Sequence, residues 1–145
     1  MRKGLAVFLF LIFLILLCIS KPTFSDSVAD TYSKANSMLV SGNYNNAVNY
    51  YNVVIKQNPK FYEAYIGLGM AYKELGMYQE AYDTTMRAII LKPSYYQTYY
   101  NLGIILESMG KKEEAISAYE KFLKEIPGAD RFSDAKQRII QLKKM

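Results

Sequence analysis

Apolar positions along the chain follow two rules that change near residue 28. Before it, Leu5 to Ile19 form one unbroken apolar run, preceded by Met1-Arg2-Lys3 and closed by Ser20-Lys21-Pro22. After it, apolar residues recur at three- and four-residue steps, as in Tyr65, Leu68 and Tyr72, the spacing of one helix face. That pattern predicts helices over 27–41, 45–57, 62–75, 78–91, 95–109 and 112–126, with a last one over 133–143. In the last, Phe132, Ala135, Ile139 and Leu142 make a single apolar stripe, with Lys136, Arg138, Lys143 and Lys144 lying mostly off it. With helices alone predicted, the expected class is all-α.

The helices repeat. Pro59, Pro93 and Pro127 are evenly spaced, and the same interval separates Gly42, Gly76 and Gly110, Ala47, Ala81 and Ala115, and Ala35, Gly69 and Gly103. A fixed period of about 34 residues is the mark of a stacked-repeat architecture. Each series has its own physical reason. Small residues let paired helices approach closely. A glycine just past a helix can take the left-handed conformation that ends it. A proline cannot continue the helix before it, because it lacks the donor and clashes with the preceding turn.

With these marks in place the chain resembles the tetratricopeptide repeat family. The second copy carries its signature as Tyr65-x-x-Leu68-Gly69-x-x-Tyr72, then Ala81, Ala88 and Pro93. The third reads Tyr99-x-x-Leu102-Gly103, Ala115, Tyr119 and Pro127, while the first starts atypically at Thr31 and Lys34 and recovers through Ala35, Tyr44, Ala47, Tyr51 and Pro59. The resemblance implies a right-handed α-solenoid of three helix-turn-helix repeats, at 28–61, 62–95 and 96–129, with 130–145 as a capping helix. A solvating cap is what a terminal repeat needs. It also implies a concave groove lined by the first helix of each pair. Mapped residue by residue, that groove is Tyr32, Asn36 and Leu39; Glu63, Ile66, Met70 and Lys73; and Gln97, Tyr100, Ile104 and Glu107. Family members that hold acidic chaperone tails do so with a clamp of Lys, Asn, Asn, Lys and Arg. The matching positions here are Tyr32, Asn36, Gly67, Gln97 and Asn101, so only Asn36 agrees and the charge-assisted bonds are missing.

The N-terminal run gives the chain a destination. A basic start followed by an apolar stretch reads as a secretory signal, and the run is shorter than the ~20 residues that span a bilayer. No Ala-x-Ala cleavage site follows, which keeps a retained membrane anchor in play. Ile15-Leu16-Leu17-Cys18 is similar to a lipoprotein lipobox except at Leu17, where a small residue is usual. Cleavage, retention and lipidation of Cys18 thus stay open for residues 1–20, with 21–27 as a linker. All three put the rest of the chain beyond the cytoplasmic membrane, in the periplasm or cell envelope.

Composition then narrows the chemistry. The 145 residues hold no His, no Trp and one Cys, so the usual zinc sites, His-activated nucleophiles and disulfides cannot be built. No paired carboxylates or phosphate loop stand out, and Glu113 and Glu114 are accounted for by the first turn of a helix. The expectation is no catalytic residue, metal or cofactor. Setting Arg2 and Lys3 aside, 16 basic residues face 13 acidic ones, too even a balance for a nucleic-acid surface. Of the 14 tyrosines, Tyr44, Tyr51, Tyr65, Tyr72, Tyr78, Tyr99 and Tyr119 fall on packing positions and are expected in the core. Tyr95, Tyr96, Tyr99 and Tyr100 cluster at the start of the third repeat, where a binding hot spot and a general bias toward Tyr both account for them. The function expected is a non-enzymatic scaffold of the cell envelope that holds a partner peptide or helix in its groove. The competing reading is a structural subunit of an envelope, secretion or pilus complex, docked through its convex face or ends.

Overall fold

The computed structural model describes residues 27–125 and 132–145. The targeting segment with Cys18, most of the 21–27 linker, Pro127 and the end of the third repeat lie outside the described residues. Seven helices make up the described chain: α1 Val28–Val40, α2 Tyr44–Gln57, α3 Tyr62–Glu74, α4 Tyr78–Leu91, α5 Gln97–Ser108, α6 Lys112–Glu125 and α7 Phe132–Lys144. Among the described residues there is no strand, and no helix is long and apolar enough to cross a membrane. Helices pack as the hairpins α1·α2, α3·α4 and α5·α6, each hairpin stacks on the next, and α7 packs on α6. The architecture is an α-solenoid.

The chain ends its helices where local sterics say it should. At the start, the Ser27 side chain accepts from the Asp30 amide at 3.1 Å, satisfying one of the orphan donors of α1. Gly42, Gly76 and Gly110 have φ of 78°, 75° and 72°, and the residue after each donates back to a carbonyl in the last turn of the helix. The bonds are Asn43 to Met38, Met77 to Tyr72 and Lys111 to Leu106, the six-to-one closure that satisfies helix-end carbonyls. Pro59 and Pro93 stand just beyond the caps of α2 and α4. Helix α5 starts later than periodicity predicts, because Pro93-Ser94 open a turn closed by Tyr95 N–H on the Lys92 carbonyl at 3.1 Å. Tyr95 is thereby left outside the helix.

Small residues set the spacing inside each hairpin. Ala35, Ala47, Ala81 and Ala115 are completely buried. A methyl group on Gly103 would lie 2.5 Å from the Tyr119 ring, and one on Gly69 would lie 2.5 Å from Thr85 Oγ1. The buried apolar residues form two clusters. One centres on Tyr51, Val54 and Leu68; the other runs from Ile89 through Tyr119 and Phe122 to Ile139 and Leu142 on α7. The tyrosine expectation holds only in part. Tyr51, Tyr99 and Tyr119 are core, Tyr44, Tyr65 and Tyr72 are half-buried, and Tyr78 is exposed because it opens α4 beside an equally exposed Met77.

Candidate functional site

One face of the stack is built by the first helices of the hairpins, and a cavity of this face lies between α1 and α3. Tyr32, Asn36 and Leu39 from α1 and Glu63, Ile66 and Met70 from α3 line a cavity of about 230 Å³. Its back wall is a side chain from the second helix. Tyr51 on α2 reaches between α1 and α3, and its hydroxyl donates to Asn36 Oδ1 at 2.7 Å. The reach depends on Gly67, since a methyl group there would sit 2.3 Å from the Tyr51 ring. Burial, and then the neighbouring Tyr32, push the Tyr51 phenol well above the usual tyrosine range, so it is a fixed neutral donor. The Asn36 carbonyl oxygen is thus engaged within the fold.

Aromatic rings frame this cavity. Tyr32 meets Phe61 edge-on at 4.9 Å and Tyr51 at 6.1 Å, while Tyr95 packs on Tyr62 at 5.4 Å. Phe61 and Tyr95 occupy equivalent positions of successive repeats, each standing just ahead of a first helix. A second cavity of about 350 Å³ continues from the first, sharing Leu39 and Met70 and adding Tyr44, Glu74 and Asn101. Lys73 forms an ion pair with Glu74. Together the two cavities make a groove with an apolar middle and polar ends.

The third repeat departs from expectation. Tyr100, assigned to the groove surface, is only 7% exposed and belongs to the core. Helix α7 covers it. Asp134 lies one full repeat period after Tyr100, so α7 takes the place of the next repeat's first helix, and the Tyr100 hydroxyl donates to the Asp134 carboxylate. Glu107 is engaged as well. It accepts from the Tyr119 hydroxyl at 2.9 Å and from Arg138 Nη1 at 3.0 Å, and Arg138 Nε reaches Asp134 at 2.8 Å. Arg138 therefore ties the cap to the third repeat instead of lying off the apolar stripe toward solvent. Burial first, then the Glu107 hydrogen bond, holds the Tyr119 phenol neutral, and the bond to Asp134 holds Arg138 even more firmly charged than usual. Ile104 packs against the same cluster, and Gln97 is half-buried with Oε1 unpartnered.

Six of the eleven groove candidates, Tyr32, Asn36, Leu39, Glu63, Ile66 and Met70, are thus brought together in one cavity, while Lys73 pairs with Glu74 of the adjoining one. Gln97, Tyr100, Ile104 and Glu107 are not part of it. Tyr51, Gly67 and Tyr95 complete the lining: from sequence, Tyr51 is expected in the core, Gly67 falls only at a clamp position and Tyr95 only in the tyrosine cluster, and none is among the groove residues. On the opposite side, between α4 and α6, an open cleft of about 490 Å³ is floored by Met86, Leu102 and Leu106, with Lys111 and Lys121 above the rings of Tyr82 and Tyr99. Among the described residues no cluster of His, Cys, Asp and Glu has the arrangement of a metal site.

Hairpins in constant register, close-packed through small residues and leaving a groove along their first helices, define a helical-repeat binding protein. Two tetratricopeptide repeat profiles match the chain, at residues 39–90 and 96–128. The chain belongs to the tetratricopeptide repeat family. No curated protein matches it. Among solved structures, the TPR domain of Arabidopsis OM64 is 23% identical with a TM-score of 0.74, over 80% of this chain and 96% of that one. The Yersinia enterocolitica type III secretion chaperone SycD, in complex with a peptide of the translocator YopD, is 18% identical with a TM-score of 0.75, over 85% and 97%. The second TPR domain of human RPAP3, in complex with an HSP70 peptide, is 25% identical with a TM-score of 0.72, over 79% and 93%.

Proposed function

We propose that this protein is a non-enzymatic scaffold of the cell envelope that holds an extended segment of a partner protein against α1 and α3. The observation that carries the reading is the continuous groove through Leu39 and Met70, walled by aromatic rings and closed behind by Tyr51. Large apolar area offered by Tyr, Ile and Met suits protein contact. Structural neighbours solved with peptides support the same use of the fold. The acidic tail of the RPAP3 complex is not the expected partner, because the basic clamp positions here are Tyr32, Gln97 and Asn101. The envelope assignment rests on the basic start and apolar run at residues 1–19.

The test is crosslinking in the envelope fraction, comparing the native chain with Met70→Ala and Ile66→Ala. A specific partner is expected to be lost from both variants while the helical circular-dichroism signal is kept. An unchanged crosslink removes the groove from consideration. Mass spectrometry of the mature N-terminus separates cleavage, retention and lipidation. A second reading, permanent docking into a larger assembly, is favoured by the cleft between α4 and α6, and it predicts a fixed-stoichiometry complex sensitive to Met86→Ala instead.

A further inference from the structure

The cavity between α1 and α3 carries a chemical preference beyond being apolar. Its carboxylate, Glu63, stands apart from the other acids of this face. Glu74 has Lys73, and Glu107 and Asp134 share Arg138, whereas Glu63 pairs with no basic side chain among the described residues. No Lys or Arg lines the cavity among the described residues. Tyr32 and Tyr95 both line it, each packed against a second ring, Phe61 and Tyr62. Lysines lie over Tyr82, Tyr99 and Phe132 instead, away from this face. Glu63, an acid of the first turn, has the partial positive end of α3 behind it but no full cation. A carboxylate sharing a cavity with two tyrosine rings attracts positive charge by Coulomb and quadrupole terms of the same sign.

We propose that the partner segment is an extended peptide bearing an arginine, whose guanidinium enters between Tyr32 and Tyr95 and pairs with Glu63. This rests on the groove reading given above and names its occupant. A planar guanidinium stacks on an aromatic face while presenting a fork of donors to a carboxylate, which an ammonium does less well. In an extended chain, side chains two residues apart point the same way, about 6–7 Å from one another. Along α3, about 6–7 Å from Glu63 falls between the levels of Ile66 and Met70, so an aliphatic side chain belongs two positions from the arginine.

The test uses the full chain and three fluorescein-labelled Gly/Ser nonapeptides, each with a Leu two residues after a central Arg, Gln or Glu, followed by fluorescence anisotropy. The Arg peptide is expected to bind about tenfold tighter than the Gln peptide, and the Glu peptide weakest. Glu63→Gln should bring the Arg-to-Gln ratio close to one. Tyr95→Leu, outside any helix, should weaken the Arg peptide alone. Met70→Ala should weaken all three alike, which reports on the groove and not on the charge. Equal affinity of the native chain for the Arg and Gln peptides, or an arginine preference that survives Glu63→Gln, overturns the proposal. If binding then still responds to Met70→Ala, the groove reading stands without the arginine. Absence of binding by the Arg peptide overturns the proposal outright.

Discussion

Gly103→Ala tests the close approach on which the stack depends. In an unhindered helix interior this change stabilises by about 1 kcal/mol, because alanine loses less backbone freedom on folding. Here the new methyl would lie 2.5 Å from Tyr119 Cε1, 2.6 Å from Cδ1 and 2.8 Å from Cζ. Carbon atoms pack at about 3.5–4.0 Å, so the ring has to retreat by roughly 1 Å. It has little room to do so. Tyr119 is fully buried, its hydroxyl is bonded to Glu107, and the Tyr100 ring stands 5.8 Å away. Overpacking of this kind costs about 1–3 kcal/mol, so after the propensity gain Gly103→Ala should destabilise by up to about 2 kcal/mol. Urea denaturation followed by far-UV circular dichroism measures it. Repeating the change in a Tyr119→Leu background should abolish the penalty, since the obstructing ring is gone. The reasoning is refuted if Gly103→Ala stabilises the native protein by its ordinary helix-propensity gain, for then the hairpin opens freely and glycine is not there for contact.

Arg138→Met should lower stability by about 1 kcal/mol, because the Arg138 side chain is one-third exposed and its pairs with Glu107 and Asp134 are partly screened. The loss should shrink in high salt, where the native pairs are weakened too, and an equal loss at both salt levels would mean that the arginine acts through packing of α7. Alkaline pH should unfold the protein through its buried tyrosines. Tyr51 and Tyr119 have raised pKa in the fold, so their contribution is complete below the ordinary value of 10.0 and is lost as pH rises above it. Each can steepen the decline by up to about 1.4 kcal/mol per pH unit, so Tyr119→Phe should lose less stability than the native chain between neutral pH and about pH 11. Parallel urea midpoints for the two proteins across that range would contradict the buried, neutral Tyr119.

Much of the fold was legible because repeats are specified locally. The left-handed glycines, the prolines beyond the helix caps and the small residues at 35, 47, 69, 81, 103 and 115 act on their own turn or on the partner helix of the same hairpin. Such short-range sterics reappear once in every repeat, and self-comparison of the chain reveals them. The same periodicity located α7 as a cap and collected the six residues of the α1–α3 cavity, since side chains on one helix face stay together whatever the stack does next.

Tertiary structure decided which equivalent positions stay open. Tyr32, Ile66 and Tyr100 share one register, yet the first two line a cavity while Tyr100 is closed over by α7 and bonded to Asp134. Nothing in the immediate neighbourhood of Tyr100 distinguishes it. Its burial comes from a helix a whole repeat further on, brought to it by packing and by Arg138. The reach of Tyr51 across to Asn36 past Gly67 is of the same kind, a contact between three helices that no single helical pattern contains. Periodicity determines which faces of the helices turn inward, and only the assembled stack determines which of those faces another helix covers.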